Sequence, residues 1–341
     1  MEIGIDSFAS AMYGSNNLSS VDAMEQLLQR IELADQVGLD VFGIGEHHKK
    51  EFLDSATVVI LSAAAARTKN IRLASAVSVL SAADPVRVFQ DFATLDLISR
   101  GRAEIVVGRG SFVEAFPLFG LQRKDYDNLF AEKLDLLLKL RETAQVHWSG
   151  RYRPALTGQC VYPRPYQAKL PIWLGVGGTP TSFARAGALG LPLMIGIIGG
   201  GFAQFRPLVD LYREAWTRAG HPPEGQKIGV HAFGFVAETN REAREAFFPG
   251  WQYAFSEVGR DRGWSAPTRA QFDALCGPEG SFMIGDPATV AAKVLMANEV
   301  FDGIARITFQ MTSAVMKHET MKRAIELLGA EVAPLVREAA P

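Results

Sequence analysis

Cysteine is almost missing from this chain of 341 residues, and neither sign of charge is in clear excess. Cys160 and Cys276 stand alone, so the sequence has neither the paired spacing of a zinc ribbon nor a disulfide framework. The formal net charge is −2 and no block of basic residues occurs, which argues against nucleic acid or an anionic membrane as a partner. A cytoplasmic location, in a reducing compartment, fits this composition best.

Long hydrophobic runs are missing as well. No apolar stretch approaches the ~20 residues that a membrane-spanning helix needs. The chain begins MEIGIDSF, with no basic leader before an apolar run, so we expect no signal peptide. The phosphate-binding patterns GxGxxG and GxxxxGK[ST], the hydrolase pattern GxSxG and the zinc pattern HExxH are also absent. A phosphate ligand is therefore not expected to be held by these motifs. The composition, 48% hydrophobic and 21% charged, is ordinary for a globular protein.

Short apolar runs recur along the chain, each followed by a turn and a stretch with helical spacing. Most runs are continuously apolar, which is typical of parallel strands buried on both faces. Eight such units predict an α/β TIM (β/α)8 barrel, with one domain spanning residues 1–341. A doubly wound sheet is the alternative, since a strand count does not prove closure. We expect loop insertions near 110–125, 148–168 and 250–285. The predicted strands are 2–8, 40–46, 71–80, 103–110, 171–178, 192–198, 227–237 and 303–311.

Several helix boundaries carry recognisable sequence signals. Asp22 with Glu25 predicts a capped helix start, and Gly38 predicts the end of the same helix. Three further starts combine a capping side chain with a proline at the first helical position. These pairs are Asp84-Pro85, Thr179-Pro180 and Asp286-Pro287.

The active site of a barrel lies at the carboxyl ends of its strands, which makes the last residues of each run candidates. The candidates by position are Asp6, Phe8, 46–48, 76–80, 108–110, 177–182, 196–201, His231 and beyond, and 310–313.

Two of these segments have the chemistry to bind a phosphate. In GGTPTS (177–182) the glycines allow close approach of the backbone, and the helix that follows presents free N–H groups at its positive end. A turn that binds nothing would have the same pattern. Arg109 follows a buried strand and is flanked by glycines, and its guanidinium matches a phosphate bidentately. The alternative for Arg109 is a structural ion pair with Asp or Glu.

The stretch FGIGEHHKKEF places Glu46, His47 and His48 where a buried strand ends. Neighbouring side chains on an extended chain point to opposite faces, so the two histidines are not expected to serve one site. This weakens a metal site, and we predict none. One histidine is expected to enter the mouth of the barrel while the other packs or caps, although a purely structural role for both stays open.

Taken together, these segments resemble the bacterial luciferase-like family of flavin-dependent monooxygenases. The resemblance covers almost the whole chain and is most specific from Arg67 to Gly110. It rests on EHH (46–48), RTKNIRLASAVSVLSAADPVR (67–87), LDLISRGRAEIVVGRG (95–110), ARAGALGLPLMI (184–195), IGDPATVAAKV (284–294) and HETMKRAIELLGAEVAPLVR (318–337).

The resemblance implies a TIM barrel that binds FMN at its C-terminal mouth. Ala76 falls at the residue before a non-prolyl cis peptide, where the family's backbone contacts the flavin ring, and Val77 follows it. Arg109 falls at the phosphate-binding arginine, and the phosphate loop and helix start fall at Gly177, Gly178, Thr179 and Ser182. The active-site histidine falls at His47, with Glu46 and His48 completing the motif. Gly108 and Gly178 replace a cysteine and an acidic residue of the light-emitting members, which argues against light emission but not against FMN binding.

The implied reaction is that of a flavin-dependent monooxygenase: reduced FMN and O2 form a C4a-hydroperoxyflavin that oxygenates a small, apolar organic substrate. The resemblance also implies a homodimer, for which the alanine-rich segment 62–66 is a candidate contact, and a separate flavin reductase is a possible partner. Residues 250–285 are a candidate lid. The candidate substrate wall consists of Phe8, Phe112, Phe116, Phe119 and Trp251.

Three alternatives stay open at this point. The first is a hydride-transferring oxidoreductase that uses a deazaflavin or FMN, and the second is a non-catalytic flavin-binding relative. The third is a metal-dependent barrel hydrolase, which the missing ligand spacing disfavours.

Overall fold

A computed structural model of the protein describes residues 1–10, 18–110, 112, 114–260, 265–311 and 316–340, with only the backbone at 258–260. Positions 312–313, which sequence position makes candidates, and parts of the expected insertions 110–125 and 250–285 lie outside these residues. In the described part of the chain no helix is both long enough and apolar enough to cross a bilayer.

Eight parallel strands close into a barrel, which confirms the predicted TIM-barrel class over the doubly wound sheet. Each strand pairs with the next in chain order, and the last returns to the first. The strands are almost entirely buried because helices cover the outer face of the barrel. The barrel strands are β1 (Glu2–Ser7), β2 (Val41–Ile44), β3 (Arg72–Ser75), β4 (Ala103–Gly108), β5 (Ile172–Val176), β6 (Leu193–Ile197), β7 (Ile228–Val236) and β8 (Arg306–Gln310).

The helices begin largely where the sequence predicts. Pro85, Pro180 and Pro287 each stand at the first helical position. One prediction was wrong: Ser19, not Asp22, is the N-cap of the first helix, because the Ser19 side chain accepts from the Asp22 amide at 3.1 Å. In the described residues the helices are α1 (Ser20–Gln36), α2 (Thr57–Arg67), α3 (Pro85–Ser99), α4 (Ala115–Leu118), α5 (Tyr126–Glu142), α6 (Pro180–Ala188), α7 (Arg206–Arg218), α8 (Asn240–Arg260), α9 (Arg269–Cys276), α10 (Pro287–Val300), α11 (His318–Leu327) and α12 (Ala333–Ala339).

The expected insertions hold additional secondary structure. Residues 110–125 include α4, and 148–168 include one strand of an antiparallel hairpin formed by Gln145–Trp148 and Leu156–Cys160. Residues 250–285 include the end of α8, all of α9, and a short strand, Met283–Gly285, that pairs with the outer half of β7. The hairpin was not expected from the sequence. Buried and exposed residues alternate in its first strand, so the sequence contains no apolar run long enough to indicate a strand.

A network of buried charges closes the amino-terminal end of the barrel. Arg306 at the start of β8 lies 2.6 Å from Glu104 and 2.6 Å from Glu2, and Arg72 also contacts Glu104 at 2.7 Å. Burial alone would raise the pKa of Glu104, but Arg306 and Arg72 outweigh it and hold that pKa below its usual value. Because this end is filled by ion pairs, the open space in the barrel lies towards its carboxyl end.

Candidate functional site

A cavity of about 330 Å³ lies inside the barrel and extends from Arg306, at the start of β8, to Arg109 at the carboxyl ends of the strands. Its volume falls in the range typical of small-molecule sites, about 300–1,000 Å³. Small residues on neighbouring strands create it, since their missing side chains leave the lumen unfilled. The lining consists of Asp6, Val41, Ala74, Ala76, Val77, Val106, Gly108, Arg109, Gly110, Tyr126, Gly175, Val176, Gly177, Met194, Gly196, His231, Arg306 and Thr308.

The predicted phosphate elements meet at one rim of this cavity. Arg109, directly after β4, places Nη2 at 3.3 Å from the hydroxyl of Thr179, the N-cap of α6. Its Nη1 donates to Asp127 Oδ1 at 2.6 Å, and the guanidinium stacks over the ring of Tyr126 at 5.3 Å. The ion pair anticipated as the alternative is therefore present, but with an aspartate whose side chain is 67% exposed. Arg109 therefore contacts the start of α6 and also lines the cavity.

The start of α6 offers unpaired donors next to open space. Pro180 has no N–H, and the Ser182 amide donates to the carbonyl of Thr179 at 2.9 Å. The amides of Thr179 and Thr181 have no partner among the described residues. At Gly177 and Gly178 an added Cβ would meet no atom within 4 Å, and neither backbone is left-handed. These glycines thus keep a volume clear beside helix donors, which is the arrangement an anionic group needs.

Another part of the cavity wall is built around a cis peptide bond between Ala76 and Val77, as the family resemblance implies. This bond separates β3 from the two-residue strand Ser78–Val79, so the expected continuous run 71–80 is interrupted. The Val77 side chain occupies the space above two glycines: a Cβ on Gly108 would lie 2.5 Å from Val77 Cγ2, and one on Gly175 would lie 2.9 Å from Val77 Cγ1. Glycine at 108 is therefore a packing requirement of this wall.

His47 lies in an aromatic enclosure beside the mouth rather than on the cavity lining. Its ring stacks on Phe52 at 4.1 Å and meets Phe8 and Phe112 edge-on at 4.5 and 5.3 Å. Nδ1 lies 3.3 Å from Asp54 Oδ1, and Asp54 is completely buried. The carboxylate thus fixes the orientation of the imidazole.

His48 points away from His47 and forms an ion pair with Glu46. Its Nε2 lies 3.0 Å from Glu46 Oε1, while Glu46 Oε2 accepts from the Val79 amide at 2.9 Å. The hydrogen bond to Glu46 raises the pKa of His48, against the opposing effect of burial. Glu46 and His48 therefore hold the segment that follows the cis peptide. The two histidines have different partners, as expected, but neither lines the cavity.

A further polar group in the cavity joins Asp6 and His231, two of the candidates by position, to Thr308, which the sequence reasoning did not single out. His231 on β7 places Nδ1 at 2.6 Å from Asp6 Oδ2 on β1, and the hydroxyl of Thr308 on β8 donates to the same oxygen. All three residues line the cavity. The available signal was a polar residue inside each of three apolar runs, EIGIDSF, KIGVHAFGFVA and GIARITFQM.

Gln310 lies two residues beyond Thr308 on β8 and is 1% exposed. Neither atom of its side-chain amide has a hydrogen-bond partner among the described residues. Alternation along the strand gives it the same face as Thr308, which lines the cavity. An unpaired buried amide costs about 1–3 kcal/mol, a cost that a bound ligand with donors and acceptors would remove.

A second cavity, of about 600 Å³, lies beside the mouth, between the loop after β6 and helices α8 and α9. The lining includes Ile198, Trp251, Phe255 and Leu275. The loop follows β6, the strand that supplies Gly196 to the first cavity, although the two cavities share no lining residue.

The predicted aromatic wall is divided among several places. Phe8 and Phe112 surround His47, Trp251 lines the second cavity, and the half-exposed Phe119 covers His48 at 5.1 Å. Phe116 is 1% exposed and packs on Tyr126, so it belongs to the core and not to a substrate wall. Within the described ranges, no cluster of three or more His, Cys, Asp or Glu side chains is arranged to hold a metal ion.

Sequence comparison agrees with this architecture. A profile of a family described as luciferase-like monooxygenase matches residues 1–302. The chain is 26% identical over 320 residues to a luciferase-like monooxygenase of Escherichia coli K12, covering 85% of this chain and 90% of that protein. It is 24% identical over 348 residues to 3,6-diketocamphane 1,6-monooxygenase of Pseudomonas putida, covering 89% and 90%.

Solved structures share the same fold along nearly the whole chain. Monooxygenase RslO1 of Streptomyces bottropensis superposes with a TM-score of 0.85 at 24% identity, covering 98% of this chain and 99% of that one. The oxygenating constituent of 3,6-diketocamphane monooxygenase of P. putida, solved with FMN, gives 0.79 at 22%, covering 98% of each. An F420-dependent secondary alcohol dehydrogenase, solved with an F420–acetone adduct, gives 0.76 at 21%, covering 99% and 100%.

Proposed function

The chain belongs to the luciferase-like monooxygenase family, and from this premise we propose that it is an FMN-dependent monooxygenase. Reduced FMN and O2 would be its co-substrates, and a small, apolar organic molecule would receive one oxygen atom. The observation that carries the cofactor assignment is the meeting of Arg109 with the start of α6 at the rim of the cavity.

The residues at this rim fit the phosphate of FMN. Arg109 supplies a planar guanidinium, and Thr179 and Thr181 supply amides without protein partners. Gly177 and Gly178 keep the intervening space clear, and Ser182 lies in the first turn of the same helix. A phosphate here would gain charge-assisted hydrogen bonds together with the favourable helix end.

The remaining residues of the site would hold and shelter the flavin ring. Bound FMN supplies the electrons and the oxygen chemistry. The backbone at Ala76 and Val77 would support the ring, with Glu46 and His48 fixing the segment behind it through Val79. His47 would act from the aromatic enclosure as a hydrogen-bond or acid–base partner near the reacting oxygen.

The second cavity would receive the substrate. Its walls include Trp251, Phe255 and Leu275, so the chemical class that it favours is apolar and large enough to use about 600 Å³. The loop after β6 connects it in the chain to Gly196 of the first cavity, where the flavin ring would lie. Helices α8 and α9, which form its outer wall, correspond to the lid expected in residues 250–285.

We also propose a homodimer through α2 and α3. These helices pack on each other, yet Val59 on α2 and Leu97 and Ile98 on α3 are 69%, 45% and 49% exposed. In the alanine-rich segment Ala64 and Ala65 are buried while Ala63 and Ala66 face outward. Light scattering that shows a monomer at micromolar concentration would contradict this assignment. A separate reductase as the source of reduced FMN, and a cytoplasmic location, stay predictions.

The second candidate function is F420-dependent hydride transfer, because a secondary alcohol dehydrogenase of that type has the same fold. Titration of the purified protein with FMN and with F420, followed by absorbance, separates the two cofactors. Oxygen uptake with reduced FMN is then measured across aldehydes, cyclic ketones, sulfonates and aromatic compounds. Substrate-dependent uptake with an oxygenated product supports a monooxygenase, whereas tight F420 binding without FMN binding contradicts it. FMN binding without any oxygenated product would indicate a non-catalytic flavin-binding relative.

A further inference from the structure

His231, Asp6 and Thr308 form a hydrogen-bonded group that holds the imidazole in one orientation. Nδ1 of His231 lies 2.6 Å from Asp6 Oδ2, and the Thr308 hydroxyl, 3.4 Å from Nδ1, donates to the same oxygen. A carboxylate at Nδ1 fixes the tautomer with hydrogen on Nδ1 and orients the ring, which leaves Nε2 to act. Nε2 has no partner among the described residues.

The barrel provides space for this group at the neighbouring positions. Asp6 is opposite Gly43 on β2, where a Cβ would collide with Asp6 Oδ1. His231 is opposite Thr308 on one side and Gly196 on the other. Two of the neighbouring positions are therefore glycines, and the third carries the hydroxyl that completes the group.

One cavity joins His231 to the cis peptide. The Ala76–Val77 wall and His231 line the same 330 Å³, so a flavin ring held on the cis peptide would share this cavity with the imidazole. The side chains of His231 and Asp6 are 16% and 7% exposed, which keeps bulk water from competing at this point.

We propose that His231 exchanges a proton with the ring of the bound flavin through Nε2, with Asp6 and Thr308 as positioning residues. The inference rests on the proposed function. When a reductant gives the ring two electrons, an imidazole that carries a proton at Nε2 as well as at Nδ1 would donate the Nε2 proton to the ring atom that faces it. The imidazole would then keep Nδ1–H on Asp6 and take up a new proton at Nε2 from water at the mouth. The charged groups around it are Asp6 from β1, Arg306 from β8 and, at the rim, Arg109 after β4.

The test compares His231→Gln, Asp6→Asn and Thr308→Val with the wild type, and uses His147→Gln on the exposed hairpin as the matched control. Dissociation constants for FMN are measured first. The midpoint potential of bound FMN is then measured from about pH 5 to pH 8, the range in which imidazole changes charge. Dithionite is the reductant.

We expect His231→Gln to retain FMN binding within about threefold, a cost below 1 kcal/mol, and to change the slope of midpoint potential against pH. Asp6→Asn and Thr308→Val should change the slope in the same direction and by less, and His147→Gln should not change it. A slope in His231→Gln equal to that of the wild type would overturn the proposal. A merely structural residue would alter binding or stability without altering the slope.

A measurement without flavin covers the case in which His231→Gln does not fold. In ¹⁵N-histidine-labelled protein, the neutral imidazole of His231 should carry its hydrogen on Nδ1, and this tautomer should change on Asp6→Asn. The Nε2–H form would overturn the proposal. A wild type that shows the Nδ1–H form but binds no FMN would contradict the proposed function, and a wild type that binds FMN but shows the Nε2–H form would contradict only this inference.

Discussion

Replacing Arg109 with alanine is the perturbation that bears most directly on the proposed phosphate site at the rim of the cavity. Arg109 reaches Thr179 at the start of α6 and pairs with Asp127. Hydrogen bonds to charged groups contribute about 1.5–3 kcal/mol, and about 1.4 kcal/mol corresponds to a factor of ten in affinity. We therefore expect Arg109→Ala to raise the dissociation constant for FMN by roughly 10- to 150-fold. The dissociation constant of Arg109→Lys should lie between those of the wild type and Arg109→Ala, because lysine keeps the charge and loses the planar guanidinium.

The ion pair with Asp127 predicts an effect of opposite sign. Asp127 holds the guanidinium at 2.6 Å, and a phosphate has to compete with it. Because the Asp127 side chain is 67% exposed, the pair contributes only about 0.2–1 kcal/mol. Asp127→Asn should therefore lower the dissociation constant by up to about fivefold. Neither change should reduce the free energy of unfolding by more than about 1 kcal/mol, since the pair is exposed.

The Arg109 and Asp127 variants are compared with the wild type by fluorescence titration of FMN at two salt concentrations, and urea denaturation checks that each variant is folded. Screening should reduce the difference between Arg109→Ala and the wild type at high salt. A dissociation constant in Arg109→Ala within twofold of the wild type would refute the reasoning, because it would show that the guanidinium serves only Asp127.

Three further predictions concern other parts of the site. Gly177→Val should leave stability within about 0.5 kcal/mol, since a Cβ there meets nothing, but should weaken FMN binding in the same titration; unchanged binding would place the phosphate elsewhere. Gly108→Ala should cost about 1–3 kcal/mol in urea unfolding through its collision with Val77, and combining it with Val77→Ala should cost less than the sum of the two single changes; full additivity would exclude that contact. The raised pKa of His48, due first to its hydrogen bond with Glu46, stabilises the fold below the ordinary histidine pKa of about 6.5 and is lost as pH rises through the folded value. The stability difference between wild type and Glu46→Gln should thus be larger below pH 6.5 than above it, and a difference that grows with pH would contradict the pairing.

The barrel was predictable because its strands obey a simple rule. A parallel strand covered on both faces is apolar along its length, and runs such as PIWLGVGG therefore mark strands without any knowledge of their partners. The hairpin of Gln145–Trp148 and Leu156–Cys160 was missed because it packs on one face only, and its short runs contain polar residues. The interruption in 71–80 was not visible in the residue types, since the alanines and valines around Ala76 are those of an ordinary strand.

The meeting of Arg109 with Thr179 was predictable for a geometric reason. Arg109 and Thr179 follow adjacent parallel strands, and parallel strands end at the same edge of the barrel, so chain order alone brings the two together. His231, Asp6 and Thr308 lie inside strands, and their meeting depends on register. His231 and Asp6 are 225 residues apart, and one residue of slip would turn either side chain outward. The contacts among these three residues therefore require knowledge of the strand register in the closed barrel.

The most direct test of the central claim compares FMN with riboflavin, which has the same ring system and no phosphate. If Arg109 and the start of α6 anchor the phosphate, the wild type should bind FMN at least about tenfold more tightly than riboflavin, equivalent to about 1.4 kcal/mol. Arg109→Ala should remove most of that preference. Equal affinity of the wild type for the two flavins would contradict the account.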